Sequence, residues 1–258
     1  MKSRFATLVV IVAVLALSGA LLGRIVAPAW TAMRAKEPAL RLNSSAAAAG
    51  QGMTLALLGG FRALVGDGAW IRMYSLWERR ELPAVETLIR FVTAIDPRPV
   101  YFWLNGARII GYDFAAWRIA DAGGETVSPA MEQRIRREQA EQALSLLDTA
   151  ARLHPQSADL WVERANIQLN ALKDCAAAAE SYLRAWETPN GPYYAARLYA
   201  EMLRRAGRKE EALAWLVRLH PTLPRNNEAA AADMVLERIR DLEHELGVSA
   251  AKAYRPRG

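Results

Sequence analysis

The chain has 258 residues, one cysteine and a net charge of +6. One cysteine excludes an internal disulfide and a cysteine-rich metal site. The charge is not a nucleic-acid footprint. Lys2, Arg4, Arg24, Arg34, Lys36 and Arg41 face only Glu37 within residues 1–60, which leaves the rest of the chain close to neutral. Runs of Val, Ile and Thr are scarce after residue 26, which argues against a sheet and for an all-α chain.

A basic tail, residues 1–4, precedes Phe5 to Gly23, a stretch without a charged side chain. As a helix it is long enough to cross a bilayer core. A cleaved signal peptide is the rival reading, with Ser18-Gly19-Ala20 as a small-residue cleavage site. The apolar run continues past that site through Leu21 and Leu22, which favours an uncleaved signal-anchor. A short basic N-terminal tail normally stays in the cytoplasm, so the helical part is expected outside it, on the periplasmic side. Arg24, Arg34, Lys36 and Arg41 pull the other way. Residues 24–52 hold Pro28, Pro38, an alanine run and Gly50-Gln51-Gly52, and read as a juxtamembrane linker.

Met53 to Glu81 carries apolar residues at helical spacing, including Leu57, Phe61, Leu64, Trp70 and Trp77. Its glycines follow no strand, so they suit close helix contact rather than a phosphate loop. Pro83 opens a second helix, with Val85, Ile89 and Val92 as its stripe and Asp96-Pro97 as its end. Tyr101 to Gly111 and Phe114 to Ala122 read as two further helices, the latter stopped by Gly123-Gly124. Ser128-Pro129, with Glu132 behind it, is a start signal for a long helix to Leu153. Ala158–Leu172, Cys175–Glu187, Tyr193–Ala206 and Lys209–Leu219 follow. Arg225 to Leu246 makes a last amphipathic helix, charged on its outer face. Residues 248–258 read as a disordered tail.

A pattern recurs within this order. Ala143-Leu147-Ala150-Pro155, Ala178-Tyr182-Ala185-Pro189 and Ala212-Leu216-Leu219-Pro224 repeat one spacing, with steps of 35 and 34 residues between the leading alanines. Offsets of four and seven put the first three members on one helix face, and the proline ends the helix. Pro97 and Pro155 are 58 residues apart, so that unit carries an insertion.

These spacings resemble the tetratricopeptide repeat. The likeness is best in Gly207-Arg208-Lys209-Glu210-Glu211-Ala212-Leu213, good across 140–224 and degenerate across 53–139. Trp161, Ala165 and Gln168 take first-helix places in one repeat, and Trp103, Ala107 and Ile110 in an earlier one. The resemblance implies an α-solenoid of helix hairpins, here preceded by one transmembrane helix. It also implies a protein-binding role without catalysis, as a scaffold in an envelope or secretion complex. An envelope enzyme of unrecognised class and a structural subunit of a membrane complex are the alternatives.

No Ser-His-Asp arrangement, His-Glu-x-x-His or phosphate loop is present, and no cofactor or metal is expected. His154 and His220 each stand before a helix-ending proline, where a histidine suits the last carbonyls of a helix. Cys175 at a helix start reads as a small packed residue. The candidate site is a partner-binding groove lined by Arg108, Asn166, Asn170, Arg197 and Arg204 on the open sides of the leading helices. Asparagine amides both donate to and accept from a peptide backbone, and arginines fork onto carboxylates, so an extended acidic or C-terminal segment of a partner protein suits it. Of the doubled aromatics Tyr101-Phe102 and Tyr193-Tyr194, one member of each must leave the core face.

Overall fold

A computed structural model describes residues 62–224 and 226–256 of the chain. The signal-anchor expected at 5–23, the linker at 24–52 and the first part of the Met53–Glu81 segment lie outside them. The described residues are helical, without a strand, and no helix among them is long and apolar enough to cross a membrane. They belong to two compact units, divided between Pro99 and Val100.

Among the described residues the first unit holds a helix pair, α1 (Arg62–Glu78) and α2 (Leu82–Ile95), packed on each other. Helix α1 buries Gly66, Trp70, Met73 and Leu76, and α2 buries Val85, Ile89 and Val92, each set at helical spacing. Pro83 sits in the first turn of α2, where its missing N–H is no loss. Asp96 closes the pair. Its buried carboxylate accepts from Arg98 at 2.9 Å and faces Arg62 at 3.7 Å.

The second unit begins with α3 (Val100–Arg108), a π-helical turn (Ile109–Asp113) and α4 (Phe114–Asp121). These run on without a break, where the sequence predicts a helix end at Gly111. No proline or capping side chain interrupts them. Gly111 instead allows close approach, since a Cβ there would lie 3.3 Å from the Ala143 Cβ and 3.6 Å from Ile167. The π turn lets Ile109, Ile110 and Gly111 all face inward in succession.

Then come α5 (Pro129–Leu153), α6 (Ala158–Asn170), α7 (Cys175–Trp186), α8 (Tyr193–Arg205) and α9 (Lys209–Leu219). The start signal of α5 is realised: Ser128 Oγ accepts from the Met131 N–H at 3.3 Å and Pro129 holds the first turn. Helix α8 ends on Gly207 at φ +80°. The Arg208 N–H returns to the Leu203 carbonyl at 2.9 Å and the Gly207 N–H to that of Arg204 at 3.1 Å, a Schellman stop.

From α5 to α9 each helix packs on the next in sequence, and α3 also touches α5 and α6. The three recurring triplets are buried throughout: Ala143, Leu147 and Ala150 in α5; Ala178, Tyr182 and Ala185 in α7; Ala212, Leu216 and Leu219 in α9. In the leading helices the placement differs in one respect. Trp161 is only half-buried, beside the Arg164 guanidinium, and Leu160 takes the buried place next to it.

Helix α10 (Ala232–Glu245) packs on α9. The sequence predicts it from Arg225, but a 3-10 turn, Glu228–Ala230, comes first and Ala231 takes a left-handed φ of +48°. Asn227 caps that short turn, accepting from the Ala229 N–H. The expected disordered tail folds back where it is described. Tyr254 meets His220 edge-on, hydroxyl to Nδ1 at 3.0 Å, and its N–H donates to Glu243.

Candidate functional site

The site is built from polar side chains that α3, α6, α7 and α8 place beside one another. Arg108, at the end of α3, reaches Glu163 on α6 with Nε and Nη2, both 2.7 Å from Oε2. The Glu163 side chain is 3% exposed and that of Arg108 52%. A carboxylate so far from water needs a fixed cation, and this arginine supplies it.

Around this pair stand tyrosines and asparagines. Tyr112, in the π turn, has its pKa pushed up to about 12 by burial, a shift that the Asn170 side chain partly opposes. On α7 the Tyr182 hydroxyl donates to Asn166 Oδ1 at 2.7 Å, and burial raises its pKa too. Deeper in, Ser181 Oγ donates to Gln168 Oε1 at 2.6 Å. Tyr194, at the start of α8, interacts electrostatically with Tyr182 and Asp159 and carries the polar face on to α8. At neutral pH all three tyrosines are protonated and able to donate.

Beyond Tyr194 lies a cavity of about 310 Å³ between α8, α9 and α10. Arg197, Glu201, Arg204 and Arg238 line it with Tyr194 and Met234, and apolar side chains form its walls. Glu201 Oε1 and Oε2 accept from Arg204 at 2.8 and 2.9 Å, and Oε1 from Arg205 at 2.8 Å. The Arg204 hydrogen bonds, helped by Arg205, hold the Glu201 carboxyl down at about 2 against some loss of solvation. Arg197 Nη1 donates to the carbonyls of Ala229 and Ala230 at 2.9 and 3.0 Å.

The five residues predicted from sequence thus fall in two places. Arg108, Asn166 and Asn170 share the polar cluster, and Arg197 and Arg204 line the cavity. Arg108, Asn166, Arg197 and Arg204 are hydrogen-bonded within the chain, so most of the face is pre-organised rather than a set of loose polar ends. Sequence reasoning misses Glu163, Tyr112, Met234 and Arg238. No local signal marks Glu163, whose partner is 55 positions away. Tyr194 is the outward member of a doubled aromatic, and that doubling does point to it; Tyr101 is likewise the exposed member of its pair.

His154 caps α5 through its backbone, its N–H on the Ala150 carbonyl at 2.8 Å, and His220 meets Tyr254. Cys175 is half-buried in the first turn of α7, behind the capping carboxylate of Asp174. Among the described residues no group of three or more His, Cys, Asp or Glu side chains is placed to hold a metal ion. What the face offers a ligand is hydrogen-bond donors, arginine charge and an apolar recess.

The chain matches no protein-family model, and no curated protein shows significant similarity to it.

Proposed function

We propose that this chain is a membrane-anchored scaffold of tetratricopeptide-like helix hairpins that binds an extended acidic segment of a partner protein. Phe5 to Gly23 is the anchor, the helical part lies outside the cytoplasm, and the setting is an envelope or secretion complex. The repeat reading is supported by the equal burial of the recurring triplets in α5, α7 and α9. One observation carries the binding role: Asn166, Asn170, Tyr194, Arg197 and Arg204 stand on the leading helices α6 and α8, where the Arg197 and Arg204 donors are fixed by hydrogen bonds within the chain and Asn166 is oriented by accepting from Tyr182. Fixed donors lose little freedom when a ligand arrives.

The test is photo-crosslinking of the full-length protein in its native membrane. A photoreactive residue at Tyr194 is expected to capture a partner through an acidic stretch, and one at Arg137, exposed on α5, to capture none. Adducts at Arg137 but not at Tyr194 would move the binding face elsewhere. Mass measurement checks the anchor, since a mature chain starting at Leu21 would mean a cleaved signal. A reporter at the C-terminus that works only in the cytoplasm checks the side, and its activity would reverse the orientation.

A further inference from the structure

We infer that the cavity between α8, α9 and α10 is the anchor pocket of the binding face. It takes a large aromatic side chain, Trp or Phe, flanked by Asp or Glu in the partner segment. This rests on the proposed binding of an acidic segment and adds what that segment must contain.

Three observations carry it. The first is shape and lining. Leu198, Leu216, Val235 and Leu242 form apolar walls around about 310 Å³. That is roughly twice the ~150 Å³ that admits a benzene molecule, so the space suits a bulky ring better than a small aliphatic group. The second is the mouth. Tyr194 is 41% exposed and Met234 59% exposed beside Arg197, Arg204 and Arg238. Tyr, Met and Arg are enriched at protein interfaces, and Met adapts its shape to an incoming side chain.

The third is charge. Arg204 and Arg205 bind Glu201, and Arg238 lies 4.0 Å from Glu201 and 3.6 Å from Asp241. Arg197 donates to two carbonyls, which carry no net charge. Glu245 also acts on Arg204 and Arg238 and is paired with Lys209 at 3.0 Å, so four arginines and a lysine stand against three carboxylates around this rim, and positive charge is left for a ligand. Acidic residues on either side of the inserted ring would meet it.

The experiment uses the full-length protein in mild detergent and short fluorescent peptides, read by anisotropy. A peptide with an Asp-Asp-Trp-Asp-Asp core is expected to bind. Replacing its Trp by Ala, or its four Asp by Ser, is expected to weaken binding about tenfold or more, the loss of one hot-spot contact. Met234→Glu puts a repelling charge at the mouth on an exposed side chain and is expected to do the same, with the circular dichroism unchanged. Met234→Leu is expected to bind as wild type.

Equal binding of the Trp and Ala peptides, or no effect of Met234→Glu, would overturn the anchor pocket and leave the acidic-segment reading standing. No binding by any acidic peptide would overturn both. Binding of dodecanoate with no binding of the peptides would make the cavity a site for a fatty acid instead.

Discussion

Arg108 and Glu163 meet at 2.7 Å across 55 positions of sequence, and of the two only Arg108 is in solvent. The arrangement is asymmetric, and so are its consequences. Removing the arginine leaves a buried carboxylate without its cation, whereas amidating the glutamate removes the need for one. Arg108→Ala is expected to cost about 1–3 kcal/mol, below the full penalty for a buried pair because the arginine is half in water. Glu163→Gln is expected to cost less. Urea unfolding of both variants measures the difference. An Arg108→Ala midpoint equal to wild type would mean that solvent, not the arginine, satisfies Glu163.

The acid stability of the α8 region should depend on Glu201. Its carboxyl titrates near 2 in the folded chain, held down first by the Arg204 hydrogen bonds, against 4.5 for an ordinary glutamate. A depressed folded value means that ionised Glu201 stabilises the fold above about pH 4.5 and that this contribution fades as pH falls toward 2. Glu201→Gln should therefore be less stable than wild type at neutral pH, with the gap closing across that window. Unfolding midpoints taken at several pH values check it. A gap constant with pH would mean that the ion pairs at Glu201 contribute nothing.

Leu216 and Trp161 separate buried from half-buried apolar contacts. Leu216 is 1% exposed in the core of α9, so Leu216→Ala is expected to cost about 2–5 kcal/mol. Trp161 stands at the core edge with Arg164 over its ring, and Trp161→Ala should cost less than the same truncation at Leu160. The three midpoints in urea rank the positions. Trp161→Ala costing more than Leu160→Ala would restore the tryptophan to the buried stripe.

How legible this chain is depends on how local each determinant is. The bounds of α5, α7 and α9 follow from Ser128-Pro129, the Asp174 cap, Gly207 and the recurring triplets, all read within a few residues. The phase of α6 is harder to read because Leu160, Trp161, Val162, Ile167 and Leu169 surround much of the helix. Only packing on α5 and α7 decides which of them is inside. The close packing at Gly111 is against Ala143 and Ile167, far along the chain. The candidate residues show the same division. Helical spacing puts Asn166 and Arg197 on the open faces of their helices. Their partners, Tyr182 and the Ala229 and Ala230 carbonyls, are set by tertiary contact that no local pattern encodes.

Arg197 meets the backbone just ahead of the late start of α10. The Ala229 and Ala230 carbonyls fall where a helix from Arg225 would use them internally; instead they accept from Arg197. The backbone then turns through Ala231 at φ +48°, a conformation that costs a residue with a Cβ about 1–2 kcal/mol. Arg197 thus holds a strained turn in place and fixes where α10 lies over the cavity. Removing its guanidinium with Arg197→Met should cost about 1–3 kcal/mol, as expected for hydrogen bonds to a charged donor. It should also raise amide exchange at Ala229, Ala230 and Ala231 while leaving α6 and α7 protected. Ala231→Gly should relieve the strain and recover part of that loss in the double variant. If exchange in the 229–231 turn is unchanged in Arg197→Met, the turn is held by the Asn227 cap alone. Arg197 would then be fully available to a ligand.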